Sequence, residues 1–379
     1  MAGPLEGVRV LAVEQYGAGP YGTMLLADLG AEVVKIEDPG RGGDVSRSVG
    51  PFLLGDGDSE FFQTFSLGKK SVTLDLKSPD DRAAFETLVQ SADAVANNLR
   101  GDQPARLGLT YEALRAVNPK IVCAHLSAYG RDTDRAAWPG YDYLMQAEAG
   151  FMKLTGEPDA PPARFGLSVV DFHTGSQLAA VLLAGIIGAM KTGRGADVDV
   201  CLFDTALHQL SYPATWYLNE GHVTERLPRG AHPAIAPCQL VKAADGWALL
   251  MCQTPRFWDL WCDIAGARHL AEDARFAGNK DRRENLAALT EAVDGVMMQK
   301  TRAEWMELLG GKVPFAPVLD LDAALDNPYV ERIGMTGRVE HPGKTGGLRH
   351  LASPFKVNGQ RPRQSRAPRM GEHNREVLP

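Results

Sequence analysis

Short apolar runs alternate with helical patterns through the first half of the chain. Such alternation is typical of a parallel sheet flanked by helices. The runs that predict strands are Val8–Val13, Glu32–Ile36, Ser71–Leu76, Ala94–Ala96, Ile121–His125 and Asp197–Leu202. The patterns that predict helices are Tyr21–Leu29, Asp80–Gln90, Tyr111–Ala116 and Phe203–Asn219. The first part of the chain is therefore predicted to form an α/β domain.

The pattern changes after a polar, Pro- and Gly-rich connection at Gly221–Pro237. A predicted strand pair and three helical stretches follow, which is typical of a smaller α+β domain. Their bounds are Gln239–Val241, Trp247–Met251, Arg256–Ala265, Arg283–Gln299 and Arg302–Leu309. The predicted division is a large domain at 1–222, a small domain at 223–328, and a return to the large domain at 329–379.

One acidic residue lies at a predicted junction between strand and helix. Asp171 follows the β-branched run Ser168–Val170 and precedes an apolar helical pattern at Ser176–Lys191. An aspartate at a helix start commonly accepts hydrogen bonds from free backbone N–H groups. From these residues alone, helix capping and catalysis both stay open.

Composition narrows the class of protein. The chain has 379 residues and a net charge of −7, which argues against general nucleic-acid binding. Five cysteines without a Cys-x-x-Cys pair indicate neither a disulfide framework nor a zinc site, and reduced thiols suit the cytoplasm. The longest apolar run, Leu178–Met190, falls short of the roughly 20 residues that span a bilayer, and no secretory signal is evident. We therefore expect a cytoplasmic protein with no membrane role.

Several short motifs carry weaker signals. Gly17–Gly22 matches the dinucleotide pattern Gly-x-Gly-x-x-Gly, but Pro20 removes one of the N–H groups that a pyrophosphate requires. The histidines show no zinc spacing, so no metal is expected. Three lysines, Lys69, Lys70 and Lys77, flank one predicted strand as edge charges or phosphate contacts, and the arginine-rich tail is expected to be solvated.

The order of segments along nearly the whole chain resembles the family III CoA-transferases, the CaiB/BaiF family. That family includes formyl-CoA and carnitine CoA-transferases and, by divergence, α-methylacyl-CoA racemase. The segments that carry the resemblance are Leu5–Leu11, Ala18–Pro20, Leu26–Ala31, Val34–Glu37, Lys69–Lys77, Arg106–Leu109, Gly140–Asp142, Thr192–Gly195, His232–Pro233, Ala243–Gly246, Val313–Pro314, Ala316–Val318 and Gly371–His373.

The resemblance implies a large Rossmann-like domain, a smaller α+β domain, and an interlocked homodimer. It implies that Asp171 attacks an acyl-CoA thioester and that CoA passes through a covalent aspartyl intermediate, with CoA as substrate and no cofactor. A helix start would favour the ionised, nucleophilic form of this carboxyl group. The implied CoA-binding residues are Leu74, Asp75, Leu76, Lys77, Asn98, Leu99, Arg100 and Arg106. The implied substrate-binding residues are Gly17, Ala18, Gly140, Tyr141 and Asp142.

Two departures from the family pattern bear on specificity. The racemases carry a histidine where this chain has Tyr141, and a phenol is a poor base near pH 7, which argues against racemisation. Formyl-CoA transferases carry a glutamine and a glycine-rich loop where this chain has Gly17 and Ala231–Pro237. The predicted activity is transfer of CoA from an acyl-CoA to a carboxylic acid. The alternatives are an acyl-CoA racemase or epimerase and a non-catalytic CoA-binding protein.

The acceptor acid is not fixed by any motif. Four polar side chains are candidates for binding the second carboxylate of a dicarboxylic acid, although surface positions suit them equally well. They are Arg164, Arg229, His232 and Gln239.

Overall fold

The computed structural model describes residues 3–379, which form two compact units. The first unit contains residues 3–149, 166–210 and 328–379, and the second contains 150–165 and 211–327. The second unit thus begins at Ser211 instead of at the predicted 223, and it also takes in 150–165. Ser211 has φ +52°, so the backbone turns there, ahead of the Pro- and Gly-rich stretch that suggested the boundary.

Six parallel strands form the central sheet of the first unit, as the alternating pattern predicted. They are β1 (Arg9–Val13), β2 (Glu32–Glu37), β3 (Lys70–Thr73), β4 (Ala94–Asn97), β5 (Val122–Ser127) and β6 (Ala196–Cys201). The order across the sheet is β3-β2-β1-β4-β5-β6. In register, Val10 of β1 lies between Val33 of β2 and Ala94 of β4.

This strand order contains a switch point between β1 and β4. The chain runs outward from β1 to β3 and then returns to the other side of β1. In open parallel sheets, a crevice forms at the carboxyl ends of the strands beside such a point. The topology therefore identifies where a ligand cavity is expected.

Helices and two short hairpins surround this sheet. The helices of the first unit are Ala18–Asp28 (the first helix), Glu60–Ser66, Pro79–Gln90, Gln103–Arg106, Tyr111–Leu114, Asp142–Glu148, Val169–Thr192 (the long helix), Leu202–Gln209, Pro328–Arg332 and Asn374–Val377. The hairpins pair Leu53–Gly55 with Asp58–Ser59, and Thr336–Val339 with Leu348–Leu351.

The long helix begins earlier than its sequence predicted. The expected strand at Ser168–Val170 is wrong, because the helix begins at Val169 and Asp171 lies in its first turn. The two valines suggested a strand by their β-branched side chains, but the carboxylate of Asp142, distant in sequence, accepts hydrogen bonds from the N–H groups of Val170 and Asp171 and holds this turn in the helix.

The long helix packs closely against the first helix. A Cβ atom added to Gly22 would lie 2.4 Å from the carbonyl oxygen of Gly175, and one added to Gly175 would lie 2.4 Å from that of Ala18. Glycine is therefore required on both sides of this crossing. By length and composition alone the long helix is able to cross a membrane, and 39% of its most apolar window is buried within the protein.

The second unit contains a three-stranded antiparallel sheet and a helical layer, as expected for an α+β domain. Its strands are β7 (Cys238–Ala243), β8 (Gly246–Met251) and β9 (Phe315–Pro317), in the order β9-β8-β7. Its helices are Phe151–Leu154, Ser211–Glu220, Pro255–Ile264, Arg268–Ala271, Asn279–Glu284, Leu286–Met297, Arg302–Leu309 and Leu321–Leu325. Its core includes the stacked rings of Trp258 and Trp261, with centroids 5.3 Å apart.

The arginine-rich tail packs against the rest of the first unit, so the expectation of a solvated tail is wrong. The N–H of His373 donates to the carbonyl of Ser71 at 2.9 Å, and the side chain of Asn374 accepts from the N–H of Thr73 at 2.9 Å. These contacts cover the outer edge of β3, and Ala367 is fully buried. Protection of an otherwise open sheet edge explains the docking.

Candidate active site

A cavity of about 690 Å³ opens at the carboxyl edge of the parallel sheet. Its volume lies in the range usual for small-molecule sites. The segments that line it follow the ends of the strands, in accord with the strand order. They include residues 14–18 after β1, 43–45 after β2, 74–77 after β3, 98–100 after β4, 126–128 at the end of β5, and Leu202 after β6.

Asp171 reaches this cavity from the first turn of the long helix. A Cβ atom added to Gly17 would lie 3.4 Å from Oδ2 of Asp171, so the glycine leaves space beside the carboxylate. Burial, with the nearby charge of Asp142, raises the pKa of Asp171 to about 7. These effects outweigh the helix N-terminus, which was expected to favour the ionised form.

Asp142 provides the helix cap that the sequence suggested for Asp171. Its Oδ2 atom accepts hydrogen bonds from the N–H groups of Val170 at 2.7 Å and Asp171 at 3.1 Å. Its Oδ1 atom accepts from Nε2 of Gln146 at 2.5 Å. The Asp142 side chain is buried and thus fixes the start of the long helix, leaving the carboxylate of Asp171 free of the capping role.

Two buried lysines hold the segment that follows β1. Nζ of Lys35 forms an ion pair with Oδ2 of Asp44 at 2.7 Å and donates to the carbonyl of Glu14 at 2.9 Å. Nζ of Lys69 contacts Oε1 of Glu14 at 2.7 Å and donates to Oγ1 of Thr23 at 2.8 Å. Burial lowers the pKa of Lys69 to about 8 although Glu14 partly offsets it. Lys69 is therefore a buried structural cation, and the expectation of an edge charge or a phosphate contact is wrong.

A second buried ion pair supports the loop after β2. Arg47 donates to Glu37 through Nε at 2.8 Å and Nη2 at 2.7 Å, and Glu37 also accepts from Ser71. Burial alone would raise the pKa of Glu37, but Arg47 and Lys35 hold it below its usual value. The loop that carries residues 43–45 into the cavity is thus held in place by this buried ion pair.

Asn98 fixes the backbone on the opposite side of the same segment. Its Oδ1 atom accepts from the N–H of Gln15 at 2.9 Å, and its Nδ2 atom donates to the carbonyl of Gln15 at 2.7 Å. A Cβ atom added to Gly19 would lie 2.7 Å from Cβ of Asn98. Two glycines of the dinucleotide-like motif therefore serve close packing, Gly19 against Asn98 and Gly22 against the long helix.

Most of the predicted site residues line one cavity. Those in its lining are Gly17, Ala18, Leu74, Asp75, Leu76, Lys77, Asn98, Leu99, Arg100, Gly140, Tyr141 and Asp171. Arg106 lies outside the lining, where it forms an ion pair with Asp102 at 3.2 Å and leaves 70% of its side chain exposed. Asp142 is also outside the lining, because it caps the long helix.

Sequence reasoning missed several lining residues, among them Tyr16, Arg41, Val45 and Trp138. Tyr16 and Arg41 follow strands whose carboxyl ends meet at one edge, so the predicted sheet already contained a signal for them. Trp138 lies in an irregular segment and Val45 begins a single 3₁₀ turn, and no periodicity identifies either. Among residues 3–379, no cluster of metal-ligating side chains is present.

Comparison with known proteins assigns the family. Residues 5–374 match the model of CoA-transferase family III. The chain belongs to CoA-transferase family III. The enzyme is therefore a CoA-transferase, and the family resemblance drawn from its sequence is confirmed.

Characterised relatives of this CoA-transferase match over nearly its full length. It is 33% identical to a succinate–glutarate CoA-transferase of Agrobacterium fabrum, over 99% of this chain and 95% of the relative. It is 34% identical to an acetyl-CoA:oxalate CoA-transferase of Acetobacter aceti, over 94% and 90%. A succinyl-CoA:mesaconate CoA-transferase of Haloarcula hispanica is also 34% identical, over 99% and 96%.

The fold agrees with a solved structure of the same family. A CaiB/BaiF family protein from Brucella suis superposes with a TM-score of 0.85 at 31% identity, over 100% of this chain and 99% of that one. The mixed α/β architecture with its large parallel sheet is thus that of the family.

Proposed function

We propose that this enzyme moves CoA from an acyl-CoA donor to a dicarboxylic acid, with Asp171 as a covalent nucleophile. One observation carries the proposal: the carboxylate of Asp171, in the first turn of the long helix, reaches a cavity built from the carboxyl ends of the strands. Its raised pKa, about 7, leaves a substantial fraction ionised at neutral pH and makes that fraction a stronger nucleophile than an ordinary aspartate.

The proposed reaction consists of two similar exchanges. The Asp171 carboxylate attacks the thioester carbonyl, the C–S bond breaks, and a mixed anhydride forms with release of CoA thiolate. The thiolate then attacks the aspartyl carbonyl and expels the donor acid, which leaves an aspartyl-CoA thioester. The acceptor carboxylate attacks this thioester and releases thiolate again, and the thiolate attacks the acceptor acyl group to give the new acyl-CoA and free Asp171.

The start of the first helix suits the charge that develops in these steps. Gly17 is the N-cap residue, and no side chain caps this helix end. Pro20 has no N–H to offer, so the N–H groups of Ala18 and Gly19 are the donors available near Gly17. Backbone donors at a helix N-terminus stabilise an oxyanion. This is the role proposed for the N–H groups of Ala18 and Gly19 in substrate binding, with Gly17 leaving space beside Asp171.

The CoA portion is proposed to occupy the part of the cavity after β2, β3 and β4. Arg41, Lys77 and Arg100 line it there and supply the positive charge that phosphate groups require. The apolar Leu74, Leu76 and Leu99 accompany them. Arg106 is exposed beside Asp102, and its proposed contact with CoA requires this ion pair to open.

A dicarboxylic acceptor is proposed because relatives carry names that specify succinate, glutarate, oxalate or mesaconate. The acceptor contacts considered from sequence receive less support. Arg229 forms an ion pair with Asp294, His232 contacts the hydroxyl of Tyr212 at 3.1 Å, and Gln239 donates to Thr290 at 2.7 Å. These groups already serve the second unit, and Arg164 is exposed.

Assembly as an interlocked homodimer in the cytoplasm, without a membrane or a resident cofactor, belongs to the same proposal. The long helix supports the assembly as a dimer, since its apolar side chains Ile187 and Met190 are 51% and 65% exposed. A second copy that covers these side chains would bury apolar surface without a bilayer.

Transfer assays with a panel of acceptors test this function. Succinyl-CoA and acetyl-CoA serve as donors, and short monocarboxylic and dicarboxylic acids serve as acceptors. We expect new acyl-CoA from dicarboxylic acids with the wild type and none with Asp171→Asn, which should still bind CoA. Exchange of the α-proton with D₂O without movement of CoA would indicate a racemase instead.

A further inference from the structure

Within residues 3–379, Tyr16 is one of four residues other than glycine with a left-handed backbone, at φ +70°. It is the third residue after β1 and lines the cavity with Asp171. Bulky residues avoid this conformation because the Cβ atom crowds the following carbonyl. A strained residue at the edge of a cavity points to a role for its side chain there.

The protein holds this conformation with buried groups. The N–H of Tyr16 donates to Oδ1 of Asp44 at 3.0 Å, and Oδ2 of Asp44 pairs with Lys35 at 2.7 Å. Asn98 binds both backbone groups of the preceding Gln15. The backbone of Gln15 and the N–H of Tyr16 are thus held in place.

The ring contacts two other aromatic residues. Its centroid is 5.1 Å from that of Phe61 and 6.3 Å from that of Tyr141, in an edge-on contact. Tyr141 lines the same cavity and is 62% exposed. Phe61 therefore supports one side of the Tyr16 ring, while Tyr141 faces it from the Gly140 segment.

The hydroxyl groups of Tyr16 and Tyr141 have no hydrogen-bond partner within residues 3–379. The segments that carry them to the cavity, residues 14–18 and 138–141, contribute no cationic side chain to its lining. A phenol O–H donates a short, strong hydrogen bond to a carboxylate. These two hydroxyls are the side-chain O–H donors that the two segments offer to an anionic group beside Asp171.

We infer that Tyr16 determines acceptor specificity by donating its phenol hydroxyl to the far carboxylate of a dicarboxylic acid. This inference rests on the proposed function and assigns a specificity residue to the same site. The near carboxylate reacts at Asp171, while the far one remains charged and binds at the tyrosine. A monocarboxylic acid of the same length lacks the group that Tyr16 binds.

The test compares two acceptors of equal length, succinate and butyrate, with one acyl-CoA donor. Tyr16→Phe removes the hydroxyl and keeps the ring. Tyr16→Asn removes the ring and tolerates a left-handed backbone, so it separates the side chain from the strain. Tyr111→Phe is the matched control, because it removes the hydroxyl of a partly buried tyrosine outside the cavity lining, one that donates to Pro119.

Tyr16→Phe should lower kcat/KM for succinate by about tenfold or more, the usual effect of losing a hydrogen bond to a charged group, and lower that for butyrate by less. Tyr16→Asn should reduce the succinate preference in the same direction, and Tyr111→Phe should not change it. An unchanged kcat/KM for succinate in Tyr16→Phe, or an equal loss for both acids, would overturn the inference.

The result also separates this inference from the proposed function. If the wild type and Tyr16→Phe both move CoA to succinate at equal rates and both form an adduct at Asp171, the function stands and the role of Tyr16 is refuted. If the wild type moves CoA to neither acid and forms no adduct, the proposed function fails and the inference fails with it.

Discussion

Asp171→Asn should stabilise the fold, and the gain should grow as the pH rises. The pKa of Asp171 is about 7 in the folded protein, because burial and Asp142 disfavour its charge, against an ordinary value of 3.8. An acid whose pKa is raised on folding binds its proton more tightly in the folded state. The unfolding free energy of the wild type therefore falls as the pH rises from about 4 to about 7. Asparagine at position 171 stays neutral at every pH, so the variant does not lose this part of its unfolding free energy.

The magnitude follows from these two pKa values. At pH 8 the difference between about 7 and 3.8 corresponds to an upper limit of about 4 kcal/mol. At pH 5 the folded carboxyl group is mostly protonated, and the same relation gives about 2 kcal/mol. Attraction to the helix N-terminus acts on the charged form, so it lowers the figure at pH 8 by up to about 1 kcal/mol and leaves the figure at pH 5 nearly unchanged. The expected difference between the two pH values is therefore about 2 kcal/mol.

Urea denaturation of the wild type and Asp171→Asn at pH 5 and pH 8 measures this difference. We expect the variant to be more stable at both values, and its advantage to increase by about 2 kcal/mol at pH 8. Asp56→Asn changes the net charge equally at an exposed turn outside the cavity lining and serves as the control. A variant less stable than the wild type at pH 8, or an advantage that shrinks with rising pH, would refute the electrostatic argument.

Three further predictions concern the same region. The single-turnover rate of acylation should fall about tenfold for each pH unit well below 7, because only ionised Asp171 attacks the thioester. A rate that stays constant between pH 5 and 8 would contradict a pKa of about 7 for Asp171. Asp142→Asn removes a charge but keeps an acceptor for the helix N–H groups, so the pH profile of acylation should move to lower pH. Asp142→Ala also removes the acceptor and should destabilise the fold by about 1–3 kcal/mol in urea denaturation. An unmoved profile in Asp142→Asn would show that the charge of Asp142 does not act on Asp171. Gly175→Ala should destabilise the fold by at least about 2 kcal/mol, because its Cβ atom would lie 2.4 Å from the carbonyl oxygen of Ala18. Gly188→Ala, in open space on the same helix, should stabilise the fold by up to about 1 kcal/mol. Equal effects of the two variants on the urea midpoint would refute the close contact between the helices.

The parallel sheet could be predicted from the sequence because its strands are short, apolar and regularly separated by helices. A parallel sheet also places its carboxyl ends at one edge, which explains why Leu74–Lys77 and Asn98–Arg100 line one cavity. Periodicity says nothing about contacts between distant segments. The start of the long helix was therefore misread as a strand, since the carboxylate that accepts hydrogen bonds from its first N–H groups, Asp142, lies in another helix.

Charged residues were the hardest to assign from sequence. Lys69 looked like a surface or phosphate-binding cation, yet it is buried against Glu14, a partner 55 positions away. The arginine-rich tail looked solvated, yet it covers the edge of β3. In both cases the partner is distant in sequence, so local composition has no means to reveal the pairing.

Covalent capture at Asp171 tests the central claim most directly. The enzyme is incubated with an acyl-CoA donor, and the intermediate is trapped with hydroxylamine or borohydride and located by mass spectrometry of the intact protein and its peptides. The account predicts a CoA-thioester adduct before trapping, and then a hydroxamate or a reduced alcohol side chain, at residue 171. CoA transfer at full rate with no modification at residue 171, or with the adduct on another residue, would contradict it.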